Sequence, residues 1–174
     1  MKKILLPLVV ASSMFASDLN LELTNETLMV NSTITIPNQN FAVRGGYLYN
    51  DVENSNNYYT LGIQAQGENA LDNYNSRLAI FIDFDHTKNN SAIPIGIGIY
   101  NNQFGNLQYP LFAKAEVAYA PAVLSFNDAT RLFKTKVELG LKPIENAKVY
   151  IGYRDISFNH NYQSVAYFGI GFVF

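Results

Sequence analysis

Along most of this chain hydrophobic and polar residues alternate with a period of two, the spacing that puts successive side chains on opposite faces of an extended strand. Leu19, Leu21 and Leu23 alternate with Asn20, Glu22 and Thr24 in a short first strand, and Asn25-Glu26 is a tight polar break. From 27 to 36, Leu28, Val30, Ser32, Ile34 and Ile36 share one face while Met29, Asn31, Thr33 and Thr35 share the other. A turn at 37–40, built on Pro and Asn, leads into a third strand at 41–49. A polar, acidic loop at 50–57 precedes a fourth strand at 58–67, and a polar turn follows through Ser76. The fifth strand, 77–86, sets Leu78, Ile80, Ile82 and Phe84 against Arg77, Ala79, Phe81, Asp83 and Asp85. In the sixth, Ile93, Ile95, Ile97 and Ile99 oppose Pro94, Gly96, Gly98 and Tyr100; Pro94 lacks an N–H and belongs at the strand's start or at a bulge. A connection at 101–110 leads to a seventh strand at 111–119, and the longest loop spans 120–131. Strand eight opposes Phe133, Thr135, Val137, Leu139 and Leu141 to Lys134, Lys136, Glu138, Gly140 and Lys142. A turn at 142–146, a ninth strand at 147–154 and a terminal strand ending at Phe174 bring the count to ten.

The charges choose between two ways of using these faces. Arg44, Arg77, Lys114, Lys134, Lys136, Lys142, Lys148 and Arg154 all fall opposite the hydrophobic face, as do Glu22, Asp83, Asp85, Glu116 and Glu138. A soluble barrel keeps its apolar face inside, which would turn all of these charges outward. In a membrane barrel a Lys or Arg facing lipid costs about 2–4 kcal/mol at mid-bilayer, so the ionised side chains belong in the lumen. The pattern predicts an all-β, transmembrane, antiparallel up-and-down β-barrel of about ten strands, with eight if the first hairpin does not span. An even number puts both chain ends on the periplasmic side. The predicted lumen network comprises Glu22, Arg44, Arg77, Asp83, Asp85, Lys114, Glu116, Lys134, Lys136, Glu138, Lys148 and Arg154. Buried charges persist when paired, and both signs occur in this interior. The inward glycines of strand six are expected to make room for the bulky and paired groups beside them. Tyr47, Tyr49, Tyr59, Phe84, Tyr119, Phe133 and Tyr153 are expected to form an outer aromatic girdle, and Phe41, Tyr109, Phe172 and Phe174 an inner one.

Composition narrows the setting. Residues 1–16 open with Lys2 and Lys3, continue through an apolar run at 4–11 and end on small residues, the form of a secretory signal peptide. This predicts a signal at 1–16 and a barrel domain at 17–174. Removing the signal leaves ten basic against fourteen acidic residues, a net charge near −4 that argues against nucleic acid as a partner. There is no Cys, so neither a disulfide framework nor thiolate chemistry is available. Beyond the signal, no apolar run approaches the roughly 18–20 residues of a membrane-spanning helix.

The last thirteen residues, YQSVAYFGIGFVF, place Phe168, Ile170, Phe172 and Phe174 on one face. That segment resembles the C-terminal assembly signal of bacterial outer-membrane barrels, which implies delivery to the barrel-assembly machinery. Three segments, GGYLYNDVENSNNYYTLGIQAQG at 45–67, VELGLKPIENAKVYIGYRDISF at 137–158 and the GIGFVF ending, are similar to the YfaZ family of outer-membrane proteins. The resemblance implies a bacterial outer-membrane β-barrel without an established enzymatic activity or cofactor. Its isoleucine-rich sixth strand departs from the more glycine-rich first half of the members compared.

Catalytic arrangements are weakly represented. Asp83, Asp85 and His86, with His160 in the last loop, invite comparison with Asp- and His-based outer-membrane proteases, but Asp85 and His86 are adjacent in a strand and point to opposite faces. Ser91, Ser125 and Ser157 have no spacing that singles out a nucleophile. Two His and no Cys argue against a transition-metal site, and Asp51 and Glu53 offer at most a weak calcium site. The expectation is a monomeric, non-enzymatic barrel without cofactor, in contact with outer-membrane lipid, with a structural role or acting as a narrow passive channel. The alternative is a soluble periplasmic ligand-binding barrel.

Overall fold

A computed structural model describes residues 17–51, 56–71, 76–104, 110–159 and 161–174. Residues 1–16, read above as the signal peptide, and Glu53, Tyr109 and His160 lie outside the described residues. Ten long strands form the wall: β1 (Asp18–Leu23), β2 (Thr27–Thr35), β3 (Phe41–Asn50), β4 (Tyr58–Leu71), β5 (Ser76–His86), then, after a short β6 (Asn90–Ala92), β7 (Ile95–Phe104) and β8 (Leu111–Ala120). A second short strand, β9 (Ser125–Asn127), precedes β10 (Leu132–Ile144), β11 (Ala147–Phe158) and β12 (Asn161–Val173). Every wall strand pairs antiparallel with its neighbours in the chain, and β1 pairs with β12 from Asp18↔Val173 to Leu23↔Phe168. The sheet therefore closes into a ten-stranded cylinder, the short β1 pairing with the inner half of β12. Because β1 and β2 are full members of this ladder, the first hairpin spans and the eight-stranded alternative does not hold.

Several element boundaries differ from the sequence reading, β7 running on to Phe104 and β11 to Phe158. β4 continues past Gly67 to Leu71, which pairs with Ser76 across a register shift. A strand that has left the hydrocarbon can stay hydrogen-bonded without apolar side chains, so the polarity of this stretch hid it. Likewise β10 runs through Lys142 and Pro143 to Ile144, and the turn contracts to Glu145-Asn146, with the irregular register at 141–144 accommodating the proline's missing donor. The sixth predicted strand is broken before Pro94: residues 90–92 pair with β5 and with β9, and Ile93 donates to the Leu124 carbonyl at 2.8 Å rather than joining the outward isoleucine row. Finally, the 120–131 segment is a folded loop carrying a 3-10 turn at Ala122–Leu124 and then β9, with Asn127 in the left-handed region that Asn tolerates.

The alternation sorts side chains as the physics of a bilayer demands. Leu61, Ile63, Ile80, Ile97, Val137, Leu139 and Ile151 face outward and are 53–64% exposed, whereas Glu22, Asp83, Asp85 and Arg154 are 2% exposed or less. A soluble protein would have to carry that apolar belt in water. Tyr59, Phe84, Tyr119 and Phe133 face outward near the outer strand ends, with the Tyr47 and Tyr59 ring centroids 4.9 Å apart, and Phe41 and Phe172 face outward near the inner ends. Tyr153, also outward, lies nearer mid-strand, opposite Val137 and Ala166.

Apolar side chains pack together at the outer end of the lumen. Met29, Leu48, Tyr58, Leu132, Ile156 and Phe158 pack inside the outer strand ends together with Ala92, Ala120 and Ala129, and Leu124 of the folded loop lies against them. Leu124 and Ala129 of the long loop thus pack into the barrel's interior, while Val123 and Phe126 of the same loop stay exposed.

Candidate functional site

Inward parity on six strands, β1, β3, β5, β8, β10 and β11, brings charged residues that are far apart in sequence into one lumen. Nearest the outer apolar cluster, the Lys134 ammonium lies 2.8 Å from Asp83 and 2.6 Å from Asp85 and donates to the Tyr58 hydroxyl at 3.2 Å. At mid-height, Arg44 donates through both terminal nitrogens to the two Glu116 oxygens, at 3.1 and 3.2 Å, while its Nε lies 3.3 Å from Asp83. This bidentate fork is the stronger kind of charge-assisted contact. Lys114 shares Glu116 at 3.2 Å, and the Tyr100 hydroxyl donates to the same carboxylate. On the β1 side of the lumen, Glu22 accepts from Arg154 at 2.7 Å, from Asn31 at 2.6 Å and from Lys136, which also contacts Glu138 at 2.9 Å. Tyr167 donates to Glu138 at 3.0 Å. Each carboxylate named is thereby opposed by at least one cation, the condition under which charge survives out of water.

Small residues determine how closely these groups approach. A Cβ at Gly96 would overlap the Phe81 ring, and that ring in turn carries the Arg44 guanidinium 4.2 Å above its centroid. Gly152 similarly leaves the place that the Tyr167 phenol occupies on its way to Glu138.

Of the twelve charged residues assigned to the lumen from the sequence, eleven make ion pairs inside it. Arg77 joins none of these pairs among the described residues: it is exposed and lines the inner mouth. Lys148 pairs with Asp18 at 2.6 Å, a carboxylate the sequence reading did not single out although it sits in phase with Asn20 and Glu22 at the start of β1. The inward tyrosines 58, 100 and 167 were also missed as network members. Their parity was the available signal, but a tyrosine on a barrel strand reads first as a girdle residue. Asp85 points into the lumen while His86 lies outward beside Phe84 and Tyr59, its Nδ1 2.9 Å from the Ser91 hydroxyl.

The lumen is not filled throughout. A cavity of about 350 Å³ occupies its inner part, bounded at the strand ends by residues such as Asp18, Thr35, Arg77 and Lys142 and at its deep end by Arg44, Glu116 and Lys136. A second cavity of about 60 Å³ lies further out and shares Arg44, Glu116 and Lys136 with the first. The two spaces therefore meet at the Arg44–Glu116 fork.

Comparison with known proteins agrees with this architecture. The KdgM porin, solved in complex with disordered oligogalacturonate, is similar over 90% of this chain and 98% of its own, with a TM-score of 0.54 and 10% sequence identity. At that identity the likeness is one of fold. None of the curated proteins compared with the chain matches it. The family model described as YfaZ precursor matches residues 1–172, nearly the full length, and the chain accordingly belongs to the YfaZ family of outer-membrane proteins.

Proposed function

We propose that this protein resides in the bacterial outer membrane as a small, non-enzymatic barrel that forms a narrow passive channel for small solutes, closed on its outer side in the conformation described. The observation that carries this reading is the pair of cavities in series that meet at the Arg44–Glu116 fork. A purely structural barrel of this width could fill its interior with side chains, since eight strands already suffice for that and ten give only slightly more room. Here the space left over is continuous in direction, bordered by charge, and followed outward by an apolar cluster in which a loop takes part. The barrel likeness to a porin supports the same reading, and the acidic sugar bound by that porin makes anionic solutes the first class to try.

Lipid contacts the apolar belt in this reading, and the barrel-assembly machinery inserts the chain. Fractionation checks the location: the protein should need detergent for extraction and should migrate differently on gels with and without boiling. Release by osmotic shock would instead indicate the soluble alternative. Planar-bilayer recording checks the transport: small unitary currents, well below those of open porins, are expected from purified protein. A complete absence of unitary events at all voltages would leave only the structural role.

A further inference from the structure

The inner end of the lumen is not neutralised as the rest is. Leu141 of β10 pairs with Val149 of β11, and one step further along the two strands stand Lys142 and Lys148. The ladder is irregular between Leu141 and Ile144, so the two are not a ladder pair, but Lys148 is near enough to repel Lys142. Lys148 turns toward Asp18, its stem lying where a side chain on Gly171 would stand. Lys142 makes no ion pair among the described residues, and its charged surroundings are Lys148, Asp18 and Arg77. Arg77 likewise makes none. Lys114 shares Glu116 with both arms of Arg44 and, across the β8–β10 ladder, faces Glu138, which it shares with Lys136. All four cations line the same 350 Å³ cavity, where the deeper Lys136 and Glu138 neutralise each other.

A concave space walled by protein and carrying excess charge of one sign concentrates ions of the other. Its volume is at the lower end of the range for small-ligand sites. We propose that this inner vestibule is a binding site for a small oxyanion bearing two or more negative charges, held by Arg77, Lys142 and Lys114. Arg77 can grip a carboxylate or phosphate with two parallel N–H donors, and the lysines act as point charges on its remaining oxygens. An occupying anion also relieves the Lys142–Lys148 repulsion. The inference rests on the barrel reading above, in which the inner mouth opens to water, but not on conduction.

Titration calorimetry on the purified full chain in detergent, at low salt, tests it with citrate and pyrophosphate as probes and sucrose as the uncharged control. Saturable binding of citrate, of pyrophosphate or of both is expected, with none for sucrose, and the preference between them distinguishes carboxylate from phosphate ligands. Arg77→Gln and Lys142→Gln should each weaken binding about tenfold, the weight of one charge-assisted contact. Lys88→Gln, on the exposed outer loop, should leave it unchanged. Failure of the wild-type protein to bind either anion overturns the inference whatever the variants do, as does an equal loss in Lys88→Gln. Bilayer recording keeps the two readings apart: binding without current retains the site and removes the channel, whereas current without binding does the reverse.

Discussion

Arg154 of β11 reaches across β12 to Glu22 of β1 at 2.7 Å, with both side chains almost completely withdrawn from solvent. The pair spans the closure of the barrel, where the first strand of the chain meets the last. Its guanidinium also donates to Thr27 of β2 at 2.8 Å, so one side chain ties β11 to the first hairpin. Glu22 is therefore the counter-ion on which the shortest wall strand depends.

Replacing Glu22 by Ala should leave Arg154 and Lys136 facing each other without their shared acid. Breaking a buried pair in this way costs about 3–5 kcal/mol, and Arg154→Ala should cost a similar amount. Because the two side chains are in direct contact, the double variant should lose less than the sum of the singles. Urea unfolding in micelles, followed by gel mobility, measures all three. Strictly additive losses would mean that the two residues do not act as a pair.

Leu139 is 53% exposed on the outer face of β10, between the inward Glu138 and Gly140. Leu139→Arg should destabilise the inserted barrel by about 2–4 kcal/mol if that face meets hydrocarbon. Folding into liposomes, compared with folding of Lys88→Arg as a neutral control, reads the effect. An unimpaired Leu139→Arg would contradict the assignment of the apolar belt to lipid.

Gly96 stands where the Phe81 ring and the Ala118 methyl group converge. Gly96→Ala is expected to cost about 1–3 kcal/mol through overpacking. Phe81→Leu should recover part of that loss in the double variant, since it is the ring that the new methyl group meets. If Phe81→Leu gives no recovery, the space beside Gly96 is not what limits the site.

Leu132 and Phe158 belong to the apolar cluster at the outer mouth and are 0% and 6% exposed. Leu132→Ala should cost about 2–5 kcal/mol in stability and, in the channel reading, should raise unitary conductance or open probability. Planar-bilayer recordings of the folded variant decide the second part. A stable Leu132→Ala barrel whose currents match the wild type would move the constriction elsewhere, with the Arg44–Glu116 fork the next place to look.

The sequence determined by itself which residues face in and which face out. Strand side chains alternate with no freedom to drift, so the parity of Ile80 against Phe81, or of Val137 against Lys136, was legible once one face was seen to carry the charges. The strand count followed from the same alternation, because each reversal of the chain is marked by Pro, Asn or a run of polar residues. Parity says nothing about partners across the lumen. That Arg44 grips Glu116 seventy-two positions away, or that Arg154 chooses Glu22, depends on the tilt and register of the closed cylinder, which bring particular heights of distant strands together. The loop at 120–131 was equally opaque: nothing in one dimension separates Leu124 and Ala129, which pack at the outer mouth, from Val123 and Phe126, which stay exposed. That Arg77 and Lys142 make no ion pair among the described residues was again settled by three-dimensional neighbourhood, since every cation on the inward face looks alike in one dimension.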